Sequence, residues 1–167
     1  PLAKVDFTSG WTIPDWCTIT TYKTILNDGT PFANRPAEDR EILAAMGHQG
    51  DDYLLTSYVI KRIVWTARDT YTLPYFLLPI NPGKLYTTAA FVKLISGQVH
   101  GFYAHGAETG KWKLCGSTLS PGLNSYINPH PFSNNSTVSG GGELLITMPG
   151  VVDGHVDLSN PTNWRIL

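Results

Sequence analysis

The clearest pattern along the chain is alternation of apolar and polar positions within residues 88–122. From Ala89 to Tyr103 the apolar Ile95, Val99 and Tyr103 fall on one side, and Ser96, Gln98 and His100 on the other. A period of two belongs to a strand with one buried face. Trp112 and Leu114 against Lys111 and Lys113 repeat the pattern and predict a second strand. The run from Tyr58 to Trp65 is dominated by β-branched and aromatic residues and predicts another. Further strands are expected within residues 16–26, over 73–80 between two prolines, over 143–148 before Pro149-Gly150, and around 155–158.

The helical signal is concentrated in one place. It begins at Asn34 or Arg35, with Pro36 suited to a first turn and Glu38 and Asp39 complementing the positive end of the dipole. Ile42, Leu43 and Met46 form its buried face, and Gly47 is the stop. Residues 84–90 are expected to form a short helical step. Many short strands separated by long, turn-rich loops predict an all-β fold, a jelly-roll or related Greek-key β-sandwich with one or two short helices. Residues 1–22 are expected to be an extended N-terminal arm, and residues 23–167 a single β-sandwich domain.

Composition narrows the function classes. Of 167 residues, 42% are apolar and 15% charged, against roughly 25% charged in an average domain. So little charge leaves much surface to hide and favours subunit contacts. The net charge of −1 and 12 dispersed Lys and Arg give no phosphate-binding stripe. No apolar run reaches the ~20 residues of a membrane-spanning helix. Cys17 and Cys115 are expected to be free thiols of a reducing compartment. Opening at Pro1 without Met is taken as the mark of a processed chain.

Candidate chemistry is sparse. His100 and His105 lack a third zinc ligand. Asp153, His155 and Asp157 would share a strand face and suit base work or a cation, but no nucleophile accompanies them, and a polar surface face is preferred. Cys115-Gly116-Ser117 offers two nucleophiles without the glycine-flanked serine elbow of hydrolases. Gly106 to Trp112 is one residue short of a phosphate loop and has Trp112 where a magnesium-binding hydroxyl belongs. Asn134 to Thr137 holds overlapping glycosylation triplets, read as a polar loop. Trp11, Trp16, Tyr86, Tyr126 and Trp164 are candidates for a sugar-stacking platform, though core packing and subunit contact are commoner uses of such rings. The expectation is therefore no enzyme, with no catalytic, cofactor-binding or metal residue and no cofactor.

The order of features over residues 58–122 resembles the capsid proteins of picorna-like viruses, the jelly-roll coat subunits of small insect-type RNA viruses. In that family a strand ending in an aromatic precedes an apolar strand with prolines, as with Val59 to Trp65 and Leu73 to Ile80. Ile95-Ser96-Gly97 stands where the family has an aromatic–basic–glycine step, without the aromatic and the basic residue. Thr109-Gly110-Lys111-Trp112 and Pro121-Gly122 follow the opening and close of the next family strand, and Leu144 to Pro149 is similar to a later one.

The resemblance implies a structural capsid protein, part of the icosahedral shell of a non-enveloped RNA virus. It would be assembled in the host cytoplasm and located in the virion. Its implied partners are copies of itself and sibling capsid subunits. Loops such as residues 119–142 would meet a host receptor or glycan, and contact with viral RNA would be weak or indirect. The alternative reading is a carbohydrate-binding β-sandwich, lectin-like or the receptor-binding head domain of a virus.

Overall fold

The computed structural model describes residues 3–4, 7, 10–50, 53–66, 74–132 and 140–165. Six antiparallel strands form the main sheet: β1 (Ala3–Lys4), β2 (Cys17–Ile25), β3 (Tyr58–Trp65), β5 (Tyr86–Ser96), β6 (Trp112–Leu119) and β8 (Gly142–Asp153). A two-stranded ribbon of β4 (Leu78–Pro79) and β7 (Tyr126–Ile127) packs against it through Leu78 and Ile127, which meet Tyr86 and Val151. The sheet order is β2-β3-β8-β5-β6, with β1 beside the far half of β8. The last strand therefore separates two earlier pairs, β2–β3 and β5–β6. The described chain is mostly antiparallel β with two short helices, as the sequence predicts.

Period-two alternation sorts the side chains of β5 and β8 onto two faces. Ala90, Val92, Leu144 and Ile146 point to one face, where Phe7, Tyr103, Ala104 and Phe132 cover them. We call this the loop face. Ala89, Phe91 and Leu145 point to the other, the helix face. There they meet Ile42, Leu43 and Met46 of α1 (Ala37–Met46) and Trp164 of α2 (Thr162–Arg165). Each fully buried side chain of this kind contributes roughly 1.5–3 kcal/mol.

Helix α1 follows its sequence signals. Pro36 is the N-cap, Glu38 and Asp39 lie in the first turn, and Gly47 ends the helix at φ 83°. The Gly47 N–H reaches the Leu43 and Ala44 carbonyls, and the His48 N–H donates to Leu43 O at 2.8 Å. Asp39 is buried and bonds the Lys23 ammonium, which ties the helix to β2.

Several expectations are corrected. The strand predicted to run to Tyr103 ends at Ser96, because Gly97 turns the chain at φ 84°. A Cβ at Gly97 would lie 2.8 Å from the Gly141 carbonyl oxygen, so only glycine fits that turn. Ile95, Val99 and Tyr103 thus share no strand face; Tyr103 is buried from a 3-10 turn, Phe102–Ala104. Residues 86–90 are strand rather than a helical step, because each side chain there has a sheet face to bury against. Of residues 73–80 only Leu78–Pro79 is strand, and Leu73 lies outside the described residues. Strand β8 runs on through Pro149. A bulge with Met148 at φ 51° absorbs the proline, which a bulge tolerates.

The N-terminal segment also differs from a free arm. Ala3 and Lys4 pair with Val151 and Gly150, and Phe7 is buried in the loop face. Thr12 and Tyr75 exchange two backbone hydrogen bonds of 2.9 and 3.1 Å. Strand β2 crosses the boundary expected at Tyr22, where it carries a bulge. The apolar Phe7, Cys17 and Ile19 find sites in the same core as the rest of the chain, which is why these residues join it.

Candidate functional site

A cleft of about 390 Å³ opens beside the ribbon, between the Phe102–Ala104 turn, the end of β6 and residues 120–130. Gly101 and Phe102 both take positive φ, 69° and 47°, and this local kink turns the Phe102 ring edge-on to His130 at 4.8 Å. His130 Nδ1 lies 2.8 Å from the Pro74 carbonyl, so that nitrogen carries the proton and Nε2 is left as an acceptor. Burial lowers the His130 pKa below the ordinary histidine value, while the Pro74 hydrogen bond pulls it the other way. Ser120, Asn124, Tyr126 and Asn128 complete the polar lining. Tyr126 is exposed on the ribbon, opposite Pro79. A neutral imidazole, amides, a hydroxyl and an open aromatic ring suit an uncharged polar ligand rather than an ion.

The groupings weighed for catalysis are not assembled with a nucleophile among the described residues. Asp153 ends β8 and faces Lys84, His155 Nδ1 lies 2.9 Å from Thr118 Oγ1, and Asp157 caps Ser159. The chain leaves the sheet at Gly154, with φ 86°, so no strand forms over 155–158, and the three side chains are exposed, each on its own partner. The hydrogen bond from Ser159 lowers the Asp157 pKa.

Cys17 and Cys115 are both free and buried in the loop-face core. Burial pushes each thiol up to about 12, so neither supplies a thiolate at neutral pH. Glu108 bridges Lys111 and Lys113 at 3.7 and 3.4 Å, so both ammonium groups already face a carboxylate. No group of three metal-binding side chains occurs among the described residues. Asn134 to Thr137 lie outside the described residues.

The predicted aromatic platform disperses. Tyr86 and Trp164 are buried and hydrogen-bonded, to Asn81 and to the Met148 carbonyl. Trp11 stacks between Phe7 and Phe76 at 4.6 and 5.0 Å, and Trp16 packs on the loop-face core. Tyr126 alone of the five lines the cleft. Asn124, Asn128 and His130 were missed as site residues because the sequence shows them only within an irregular, proline-rich segment, and Phe102 because its spacing fits the strand expected to run to Tyr103.

Exposed large apolar side chains fall in two groups. Tyr22, Leu26, Tyr53, Leu55 and Val59 surround the end of β2, and Leu77, Leu85, Leu123 and Tyr126 surround the ribbon. Leu123 is 91% exposed and Tyr53 75%, far from what core packing would leave. No described helix is long and apolar enough to cross a membrane. Comparison with family models, curated proteins and solved structures finds no match to this chain.

Proposed function

We propose that the protein is a structural subunit of an icosahedral viral shell, a capsid tile that works by assembly rather than catalysis. The observation that carries this reading is the pair of exposed apolar groups, one by the end of β2 and one by the ribbon. A subunit with one sticky surface makes a dimer, whereas a tile in a closed shell needs at least two. The charge-poor composition supports it, since obligate interfaces resemble a core cut in half.

A jelly-roll wiring belongs to the same reading. Eight strands occur among the described residues, with the last inserted between earlier pairs in Greek-key fashion, although they divide six and two rather than four and four. Partners would be further copies and sibling subunits, and the site of action would be the virion. The test is sedimentation velocity with electron microscopy over rising protein concentration, alone and with sibling subunits from the same reading frame. Closed particles or capsomer-sized oligomers are expected. Failure to assemble under any of these conditions would sink the proposal.

A second reading, a carbohydrate-binding domain, is favoured by the cleft, where Tyr126 offers a ring face and Asn124 and Asn128 offer amides. Glycan-array binding that disappears in Tyr126→Ala and Asn124→Ala would support it. Binding that survives both substitutions would remove the cleft from consideration.

A further inference from the structure

We infer that the cleft beside the ribbon takes an uncharged sugar ring, packed on Tyr126 and held by a hydroxyl that donates to His130 Nε2, so that it admits neutral glycans and rejects acidic ones. The inference rests on the carbohydrate reading and names the class of glycan. The cleft volume of about 390 Å³ falls within the roughly 300–1,000 Å³ of small-molecule sites, which combine apolar walls with a few placed polar groups.

Exposure alternates along residues 126–130. Ile127 and Pro129 are buried, and Tyr126, Asn128 and His130 are the positions left open between them. In extended chain every second side chain turns to the same side, and these three all line the cleft. The ribbon holds this wall in place: Tyr126 pairs with Pro79, and the Ile80 N–H donates to the Ser125 carbonyl at 3.0 Å. Phe102 forms a second wall. A non-glycine residue in a sparsely populated backbone region costs roughly 1–3 kcal/mol and persists where its surroundings hold it. Phe102 sits at φ 47°, and its ring meets the imidazole edge-on.

His130 sets the polarity of the cleft. Its Nδ1–H is committed to the Pro74 carbonyl at 2.8 Å, so the tautomer is fixed and Nε2 can only accept. Nε2 has no hydrogen-bond partner among the described residues and is not one of the polar atoms sealed from solvent. Burial of the ring disfavours the imidazolium, which keeps that lone pair available. A sugar hydroxyl satisfies it, whereas a carboxylate brings its own lone pairs and a charge against it. Carboxylates are held by Arg or Lys, and no charged side chain lines the cleft among the described residues. Ser120 and Asn124, both exposed at the rim, are placed for the outer hydroxyls of the same sugar.

The test is an array of neutral oligosaccharides beside the same chains ending in the corresponding uronic acid, read at pH 7.5. Calorimetric titration then compares the tightest neutral chain with its acidic counterpart. The acidic form should bind roughly tenfold more weakly, the cost of leaving a buried acceptor unpaired. His130→Phe keeps a ring beside Phe102 and removes the acceptor, so neutral affinity should fall by about the same factor, with circular dichroism showing that the variant is folded. In the wild type, the His130 Nε2 nitrogen resonance should shift on saturation with the neutral chain, a readout that needs no variant.

Equal affinity for neutral and acidic forms overturns the inference while leaving the cleft a glycan site. So does an Nε2 resonance that stays in place at saturation, or undiminished binding by folded His130→Phe. A wild-type chain that binds no glycan of either kind overturns the carbohydrate reading and this inference together.

Discussion

Most of the helix-face cover comes from one contiguous segment, Ala37–Met46, with Leu54 and Trp164 beside it, whereas Phe7, Tyr103 and Phe132 come to the loop face from distant parts of the chain. Both faces bury large side chains to completion: Met46 and Ile42 on one, Trp65 and Phe132 on the other. They differ in how the cover is held. Helix α1 brings its own capping geometry and the Lys23–Asp39 bond, so its face needs one docking event. The loop-face cover must close several loops before any of its rings touch, and loop closure costs entropy ahead of the contacts that offset it. A cover made of separate loops also leaves irregular surface between them, and the cleft lies there. The contrast links fold to site, because the face built from distant pieces is the one with room for a ligand.

The severest way to break the comparison is to remove the sheet that both faces share. Gly116 sits in β6 at φ 149°, and a Cβ there would stand 2.1 Å from the Thr88 carbonyl oxygen in β5. It would also stand 2.7 Å from the Ala89 Cα, and both are backbone atoms of the paired strand that cannot move aside alone. Gly116→Ala is expected to cost more than about 4 kcal/mol, in the range that marks an exceptional substitution. Circular dichroism and soluble yield should show a chain that fails to fold at 25 °C. A cooperatively folded variant would mean that β5 and β6 separate more easily than their ladder implies.

The next test weighs the faces against each other. Phe132→Ala leaves a ring-sized void over Trp65, whose ring centroid lies 4.8 Å away, and should cost about 3–5 kcal/mol. Met46→Ala should cost about 2–5 kcal/mol on the helix face. Urea unfolding followed by tryptophan fluorescence measures both. If the loop cover were a loosely attached lid, Phe132→Ala would instead fall well below 1 kcal/mol. It would then raise hydrogen exchange only in residues 102–104 and 130–132.

The same contrast explains what could be read from the sequence. Helix α1 was legible because Pro36, the acidic first turn, Ile42, Leu43, Met46 and Gly47 all lie within a dozen residues and obey one period. Strand β3 was legible for the same reason. Tyr103 misled because its spacing from Ile95 fits a strand, and nothing local reveals that Gly97 sits against Gly141. Pro149 misled because a proline usually ends a strand, and only pairing with β5 shows the bulge that admits it. The cleft was illegible for the reason the loop face was: Phe102, Tyr126 and His130 are brought together by loops whose closure no local pattern records.

A smaller effect is expected at the helix stop. Gly47 adopts a left-handed conformation that costs other residues roughly 1–2 kcal/mol. Gly47→Ala should lower stability by about that amount while leaving the helix face packed, since no core side chain is lost. A cost as large as that of Met46→Ala would mean that the cap, rather than the apolar stripe, holds α1 in place.

The mildest expectation concerns acidity, and it falls on the loop side. His130 is partly buried beside Phe102 and Tyr75, which lowers its pKa below that of the unfolded chain, near 6.5. The unfolded state therefore binds this proton more readily, and stability rises with pH wherever the two states differ in occupancy. His130 costs nothing above pH 6.5, and its neutral form becomes a growing penalty as pH falls below that value. The urea midpoint of the wild type should drop more between pH 7 and pH 5 than that of His130→Gln. The drop should be accompanied by faster exchange at the Tyr103 amide, which points to the His130 carbonyl. Parallel pH profiles for the two proteins would mean that His130 takes up its proton inside the folded cleft, and would make that cleft wetter than its packing suggests.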